Sequence, residues 1–263
     1  VGSEGTFAVV TKVIVRLMPK PKAVKTLLAV YDDIGDATNT VSAIIAAGIV
    51  PAALEMIDNL VIKAVEPVIK AGFPMDAGAV LLIEVEGLDE AVDEQATEIE
   101  SICKDNSAVQ VNAAADPGER DRLWAGRKNA FGALGSVAPN YYIMDGVVPR
   151  SRLPDVMKKV AEICKSYEVV VANVFHAGDG NLHPIILFDE REDGVKDRVL
   201  AAGGEVMRAC IDVGGALTGE HGIGVEKQMY MPWTFTDADM AAMRRLRSAF
   251  CPTGLFNPGK IFP

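Results

Sequence analysis

The chain is poor in histidine, with three in 263 residues, and poor in positive charge, with 26 basic against 36 acidic side chains and a formal net charge of -10. A pI near 4.9 argues against a broad nucleic-acid or anionic-membrane surface, although it leaves room for a local basic site. No apolar run reaches the ~18 residues that a membrane-spanning helix needs, so no transmembrane segment is expected. The four cysteines, Cys103, Cys164, Cys210 and Cys251, form no Cys-x-x-Cys pair. Three of them fall in segments with amphipathic helical spacing, where a buried thiol acts as a small hydrophobe rather than as a disulfide partner or ligand. These absences favour a reducing compartment and a cytoplasmic protein, with peripheral attachment to a membrane through a complex still open. An initiator methionine is also missing. Val1-Gly-Ser-Glu-Gly-Thr-Phe7 has neither the basic-then-apolar form of a signal sequence nor the composition of a disordered leader, and reads as the start of a fragment or a processed chain.

What is present is the composition of a folded protein, 49% apolar and 24% charged, long enough for one sizeable core or two modest ones. The glycine-rich opening is followed by the β-branched run Val9-Val-Thr-Lys-Val-Ile-Val15, which Pro19 and Pro21 interrupt, so residues 1–18 read as an edge or tail of something larger. From Lys25 the pattern predicts strand 25–31, helix 35–47, strands 50–57 and 79–86, helix 89–104 and strand 108–114. After a helix over 117–131 a second series follows: strand 141–148, helix 152–166, strands 168–175 and 182–188, helix 193–212 and a short strand over 215–218. Both series run βαββαβ. The fold class is therefore α+β, with two ferredoxin-like units whose antiparallel sheets turn one face to helices and share the other through packing. A last helix over 237–249, with Asp237 as its cap, places Met240, Met243, Leu246 and Phe250 on one side.

None of the three histidines is scattered. His176 and His183 bracket Ala177-Gly-Asp-Gly-Asn-Leu182, and His221 lies in Gly219-Glu-His-Gly-Ile-Gly224. His176 would end one strand and His183 begin the next, with Gly178-Asp-Gly180 reversing the chain and Asp179 capping the turn. Both imidazoles can then approach one metal, with Glu220 as an oxygen ligand and positions left open for water or substrate. His221 is close enough to act as a base, provided the chain turns at Glu220, which Gly219, Gly222 and Gly224 permit. The bland reading is of two hydrogen-bonded core histidines and a helix-capping glutamate. Nitrogen and oxygen donors suit zinc, manganese or iron alike. Arg127, in Leu123-Trp-Ala-Gly-Arg127, can hold a carboxylate through paired hydrogen bonds, or can be a surface arginine. Tyr141, Tyr142 and Asn181 can be sheet aromatics and a turn-stabilising amide, and Lys260 can reach an anionic cofactor or lie in solvent. Gly2-Ser-Glu-Gly-Thr6 offers donors to a phosphate or cofactor, but it is not the Gly-x-Gly-x-x-Gly of a dinucleotide-binding βαβ unit.

Gly2-Ser-Glu-Gly-Thr6, Leu123-Trp-Ala-Gly-Arg127, His176-Ala-Gly-Asp-Gly-Asn-Leu-His183, Gly219-Glu-His-Gly-Ile-Gly224 and Asn257-Pro-Gly-Lys260 together resemble the carboxy-terminal half of flavin-linked 2-hydroxy-acid oxidoreductases. That family includes D-lactate dehydrogenases, D-2-hydroxyglutarate dehydrogenases and the D subunit of bacterial glycolate oxidase, and Pro139-Asn-Tyr-Tyr-Ile-Met-Asp-Gly146 is most similar to the last of these. The resemblance implies a remnant of an FAD-binding domain over 1–21, a substrate or cap domain over 22–224, and a return to the flavin domain over 225–263. It implies that His176, His183 and Glu220 bind a divalent metal, that His221 is the base, and that Arg127 binds the substrate carboxylate. Gly2, Ser3, Glu4, Gly5, Thr6, Asn257 and Lys260 would approach FAD. In relatives acting on 2-hydroxyglutarate, a lysine holds the distal carboxylate and an asparagine follows the second histidine by two; here those positions are Ile143 and Ile185, which favours a small substrate such as glycolate or D-lactate.

The implied chemistry is oxidation of a 2-hydroxy acid to the 2-oxo acid, with metal-assisted deprotonation and hydride transfer to FAD. The implied partners are the missing amino-terminal flavin-binding portion and other oxidase subunits, including an electron-transfer subunit. The chain alone is expected to be inactive. Two other readings stand beside this one: a non-enzymatic metal-binding or assembly module with the same cap fold, and simple metal-assisted hydrolysis.

Overall fold

In the segment Ala23–Tyr31, successive side chains alternate between two apolar cores: Leu27, Ala29 and Tyr31 enter one, and Leu28 and Val30 enter the other. A strand apolar on both faces must lie in a sheet covered on both sides. The computed structural model, which describes residues 2–262, has that arrangement. The first half comprises β1 (Ala23–Tyr31), α1 (Ile34–Ala46), β2 (Ala53–Asp58), α2 (Asn59–Ile69), β3 (Ala79–Gly87), α3 (Asp89–Asp105) and β4 (Gln110–Ala113). Two helices, α4 (Pro117–Lys128) and α5 (Ala130–Leu134), lead to the second half. It comprises β5 (Asn140–Ile143), β6 (Gly146–Val147), α6 (Leu153–Ser166), β7 (Val170–Phe175), β8 (Asn181–Leu182), β9 (Pro184–Phe188) and α7 (Val195–Asp212), with α8 (Asp237–Phe250) after it.

Seven strands form one antiparallel sheet in the order β4-β1-β3-β2-β7-β9-β5, and β6 pairs with β8 in a small ribbon. The halves do not share a face as expected. They join edge to edge through β2 and β7, with Met56 opposite Phe175 and Ile57 opposite Val174. Asp58 fastens this seam: its buried carboxylate accepts from Asn173 N at 2.6 Å, Asn173 Nδ2 at 3.0 Å and Val61 N at 3.0 Å. One face of the sheet is covered by α1, α3, α6 and α7, and the other by α2, α4 and α5. The fold is thus a mixed α/β structure in which an antiparallel sheet is flanked by helices.

Several elements differ from the sequence expectation. Helix α2 occupies a stretch left unassigned; Pro67 inside it speaks against a helix, but Val61, Ile62, Ala64 and Val65 all bury on the sheet. The helix over 117–131 is split at Asn129, and the strands over 141–148 and 182–188 are each broken in two. The strand over 215–218 shrinks to a bridge between Ala216 and Val147. Val9–Val15 forms no strand, and its apolar side chains are exposed. The cap of α8 is Thr236, in a reciprocal pair with Asp239, and Asp237 is the first helical residue. On α8 Met240 is buried, whereas Leu246 and Phe250 are exposed, Phe250 stacking on Phe7 with ring centroids 4.9 Å apart. Cys103, Cys164 and Cys210 lie buried on α3, α6 and α7 as free thiols, as their spacing suggested.

Candidate metal and substrate site

The breaks in the second half place the histidines. His176 follows β7, a single 3-10 turn over Ala177–Asp179 comes next, and Gly180 closes the reversal at φ 69°. A Cβ at Gly180 would stand 2.3 Å from the Val148 carbonyl oxygen, so only glycine fits. Asp179 is exposed, and the turn is held instead by Arg150 Nε donating to the Gly178 carbonyl. Residue 184 is a proline with no N–H to give to the ladder, and the strand parts between β8 and β9 at His183. His183 is 2% exposed, with Nδ1 3.3 Å from the Met144 carbonyl oxygen at the matching break between β5 and β6.

Around these breaks His176, His183 and Glu220 each offer one ligand atom within 4.8 Å of the others. Glu220 Oε1 is 3.8 Å from His176 Nε2 and 3.0 Å from His183 Nε2. That His183 nitrogen is buried and has no partner of hydrogen-bond geometry among the described residues. A buried nitrogen lone pair facing a carboxylate and a second imidazole fits a divalent cation, whose charge would join three donors that otherwise lack one. A second cluster, Asp145, His183 and His221, meets the same distance criterion. Asp145 is less suited to a ligand's role because its oxygens are already taken by N–H and O–H donors. The His221 ring stacks on His183 at 4.9 Å between centroids, and its Nε2 lies 3.6 Å from Glu220 Oε1, on the open side of the cluster.

Arg127, on α4, is buried rather than on the surface. Its Nε donates to Glu55 Oε2 at 2.9 Å, and Glu55 Oε1 lies 2.7 Å from His176 Nδ1. One buried carboxylate thus fixes both groups, aims His176 Nε2 at the cluster, and leaves the terminal guanidinium nitrogens without a hydrogen bond among the described residues. The Glu55 hydrogen bond raises the His176 pKa, whereas burial lowers that of His183. Glu55 was missed in the sequence, although a lone carboxylate inside Ala52-Ala-Leu-Glu-Met-Ile57 was a signal.

Asp145 was missed as a site residue too. It is fully buried and accepts from Thr218 Oγ1, from the backbone N–H groups of Gly219, Glu220 and His221, and from Lys227 Nζ at 2.9 Å. Burial opposes its charge, but Thr218 and Lys227 outweigh that effect and hold its pKa down to about 2. The chain turns at Glu220 as required. Gly219 lies against Asn181, whose amide a Cβ would meet at 2.6 Å, and Asn181 Oδ1 is buried without a partner among the described residues.

The Gly2–Thr6 segment packs on this turn. Glu4 accepts from Ile223 N and Gly224 N through its carboxylate and from Asn257 Nδ2 through its backbone carbonyl, while Thr6 Oγ1 donates to Ser3 O at 2.7 Å. Gly5 faces Asn257, and Lys260 is half-buried nearby in sequence. Gly2, Ser3 and Thr6 also line a cavity of about 300 Å³ with Met243, Ile261 and Phe262. Tyr141 and Tyr142 line a separate apolar cavity of about 780 Å³ that includes none of His176, His183, Glu220 and His221. Ile143 and Ile185 are directly opposite each other across β5 and β9. Among the described residues, no helix is long and apolar enough to cross a membrane.

The chain is 47% identical over its whole length to glycolate oxidase subunit GlcD of Escherichia coli K12, covering 52% of that protein. It is 42% identical to the Bacillus subtilis subunit of the same name, covering 56% of it. A probable mitochondrial D-lactate dehydrogenase of Danio rerio is 29% identical over 99% of the chain and 52% of its own length. The chain therefore spans about half the length of the curated relatives it matches. Among solved structures, substrate-bound p-cresol methylhydroxylase shares the fold with a TM-score of 0.68 at 14% identity, covering 93% of this chain and 53% of that one. Residues 20–261 match the family described as FAD linked oxidases, C-terminal domain, and the chain belongs to it.

Proposed function

We propose that this chain is the substrate-side portion of a flavin-dependent oxidoreductase that oxidises a small 2-hydroxy acid, glycolate or D-lactate, to the 2-oxo acid. The observation that carries the reading is the convergence of His176 Nε2 and Glu220 Oε1 on the buried His183 Nε2, which has no partner of hydrogen-bond geometry among the described residues, with His221 and Arg127 beside them. Arg127 binds the substrate carboxylate through the guanidinium nitrogens that Glu55 leaves free. His221 takes the proton of the 2-hydroxyl on Nε2, the nitrogen nearest Glu220. Because Glu55 holds Arg127 and His176 together, the carboxylate and hydroxyl ends of the substrate are fixed relative to each other. His176, His183 and Glu220 would hold a divalent ion, zinc or manganese or iron, which would supply Lewis-acid polarisation of the substrate oxygen, and FAD in the complete protein would serve as the electron acceptor.

The same reading takes residues 22–224 as the substrate domain, built of two ferredoxin-like units, with 1–21 and 225–263 belonging to the flavin domain; Val1 and Pro263 lie outside the described residues. It is supported by the mirrored strand order about the β2–β7 seam, in which Ala216, β5 with β6, β9 with β8, and β7 repeat the places of β4, β1, β3 and β2. Gly2, Ser3, Glu4, Gly5, Thr6, Asn257 and Lys260 form the flavin-facing segment, for which the cavity beside Gly2 and Ser3 leaves space. The apolar Ile143–Ile185 pair suits a substrate without a second carboxylate. Other oxidase subunits, an electron-transfer subunit among them, complete the assembly, in keeping with the name of the GlcD relatives.

The test is an assay of the complete flavoprotein with glycolate, D-lactate and a dye acceptor. His221→Ala should lower kcat about 10²–10⁴-fold with metal content retained, and Arg127→Met should raise KM. Wild-type turnover in His221→Ala would reject the base, and failure to form 2-oxo acid from either substrate, with neither the dye nor dioxygen reduced, would reject the oxidation.

A further inference from the structure

The turn Gly219–Gly224 has no regular secondary structure, yet each of its six N–H groups is held by a side-chain oxygen. Asp145 accepts from Gly219 N at 3.1 Å, Glu220 N at 3.1 Å and His221 N at 3.0 Å. Thr218 Oγ1 accepts from Gly222 N at 2.8 Å while donating its own proton to Asp145. Glu4 accepts from Ile223 N at 2.7 Å and Gly224 N at 2.8 Å. A backbone without a ladder is as fixed as the acceptors that satisfy it, and ionised acceptors hold it most strongly. Lys227 Nζ, itself buried, bonds both the carboxylate and the carbonyl of Asp145 and balances its charge. Gly222 makes the approach possible: it sits at φ 85°, and a Cβ there would stand 2.8 Å from the Glu4 carboxyl carbon.

We infer that Asp145 and Glu4 are positioning residues that clamp this turn from its two ends, Asp145 fixing Glu220 and His221 and Glu4 fixing the exit at residues 223 and 224. The functional sense of the clamp rests on the reading of Glu220 as ligand and His221 as base. Asp145 comes from the break between β5 and β6, whose other residue, Met144, meets His183 through its carbonyl. One two-residue interruption of a strand therefore orients three of the four groups at the site. Glu4 ties the exit of the same turn, at Ile223 and Gly224, to the opposite end of the chain.

The test uses the metal-free chain and residue-resolved amide hydrogen exchange. Asp145→Asn is combined with Lys227→Met so that no buried lysine is left unpaired. In this double variant, exchange at residues 219–222 should rise about 100-fold or more, with β2 and β3 unchanged, because only the local opening becomes easier. Glu4→Gln should raise exchange at 223 and 224 alone, by about tenfold. Unchanged exchange at 219–222 in the double variant, or equal acceleration throughout the sheet, overturns the clamp. Should that variant fail to fold, Thr218→Val decides: faster exchange confined to residues 221 and 222 supports the clamp, and wild-type exchange there overturns it. A parallel Mn²⁺ titration should show about 10–100-fold weaker binding in the double variant. Failure of the wild-type chain to bind Mn²⁺ would count against the ligand reading alone, since exchange still judges the clamp.

Discussion

The two halves of the sheet follow one plan with different continuity. In the first half β1, β2 and β3 run unbroken for nine, six and nine residues; in the second, β7 matches β2 with six unbroken residues, but the counterparts of β1 and β3 are split into β5 with β6 and β8 with β9, pieces of two to five residues. Every candidate ligand and the candidate base lie at or beside the second half's breaks, while the regular half contributes Glu55 from the middle of a strand. Continuous strands satisfy their own backbone and leave side chains to pack. The interruption at residues 144 and 145 instead turns the Met144 carbonyl on His183 and the Asp145 carboxylate on the N–H groups of residues 219–221, which donate to it.

Asp58 and Asp145 state the same contrast electrostatically. Each is a buried carboxylate in one half. Among the described residues Asp58 is met by neutral hydrogen-bond donors, and burial pushes its pKa up to about 6; Asp145 has Lys227 as well and is held near 2. The largest effect should come from Lys227→Met alone, which leaves the Asp145 charge uncompensated and should cost about 3–5 kcal/mol in denaturant unfolding. Asp58→Asn should cost far less at neutral pH, and equal losses would erase the distinction. Next is a pair of glycine substitutions. Gly180→Ala meets both a left-handed φ and the Val148 carbonyl, and should cost about 2–4 kcal/mol. Gly48→Ala, at φ 83° in open space in the regular half, should cost only about 1 kcal/mol. Similar thermal shifts in the two would show that the breaks are no tighter than an ordinary helix end.

The smallest effect is in the pH profile. Asp58 has a folded pKa raised above its unfolded value, so its favourable contribution is full below about pH 4 and is lost as the pH rises through about 6. Asp145 has the opposite sign: its contribution is present above about pH 4 and is lost as the pH falls toward 2. Asp58→Asn should therefore flatten a decline of about 1–2 kcal/mol between pH 4 and 6 and leave the acid limb alone. A decline that persists in the variant would assign it to another group.

The sequence made the site more legible than its supports. The histidine spacing and the glycines around Glu220 are local signals, and the structure brings His176, His183, Glu220 and His221 together. Glu55 is 72 residues from Arg127 and 121 from His176, so its role exists only after β2 and β7 meet edge to edge. That seam was itself illegible, because Met56 and Phe175 look the same to periodicity whether a strand is an edge or a centre. The strand breaks at Asp145 and His183 were hidden for a related reason: apolar neighbours on both sides continue the strand pattern through a residue whose partners lie far along the chain. Helix α2 accommodates Pro67 because four of its side chains, Val61, Ile62, Ala64 and Val65, bury on the sheet, a gain that exists only once the sheet is in place.

The broken half is proposed to hold one divalent ion among His176, His183 and Glu220. Crystals of the chain soaked in Zn²⁺ and recorded at the zinc edge test it most directly. A single anomalous peak bonded to His176 Nε2, His183 Nε2 and Glu220 Oε1 is the expected result, lost in Glu220→Ala. A peak among Asp145, His183 and His221, or none in this region, would contradict it.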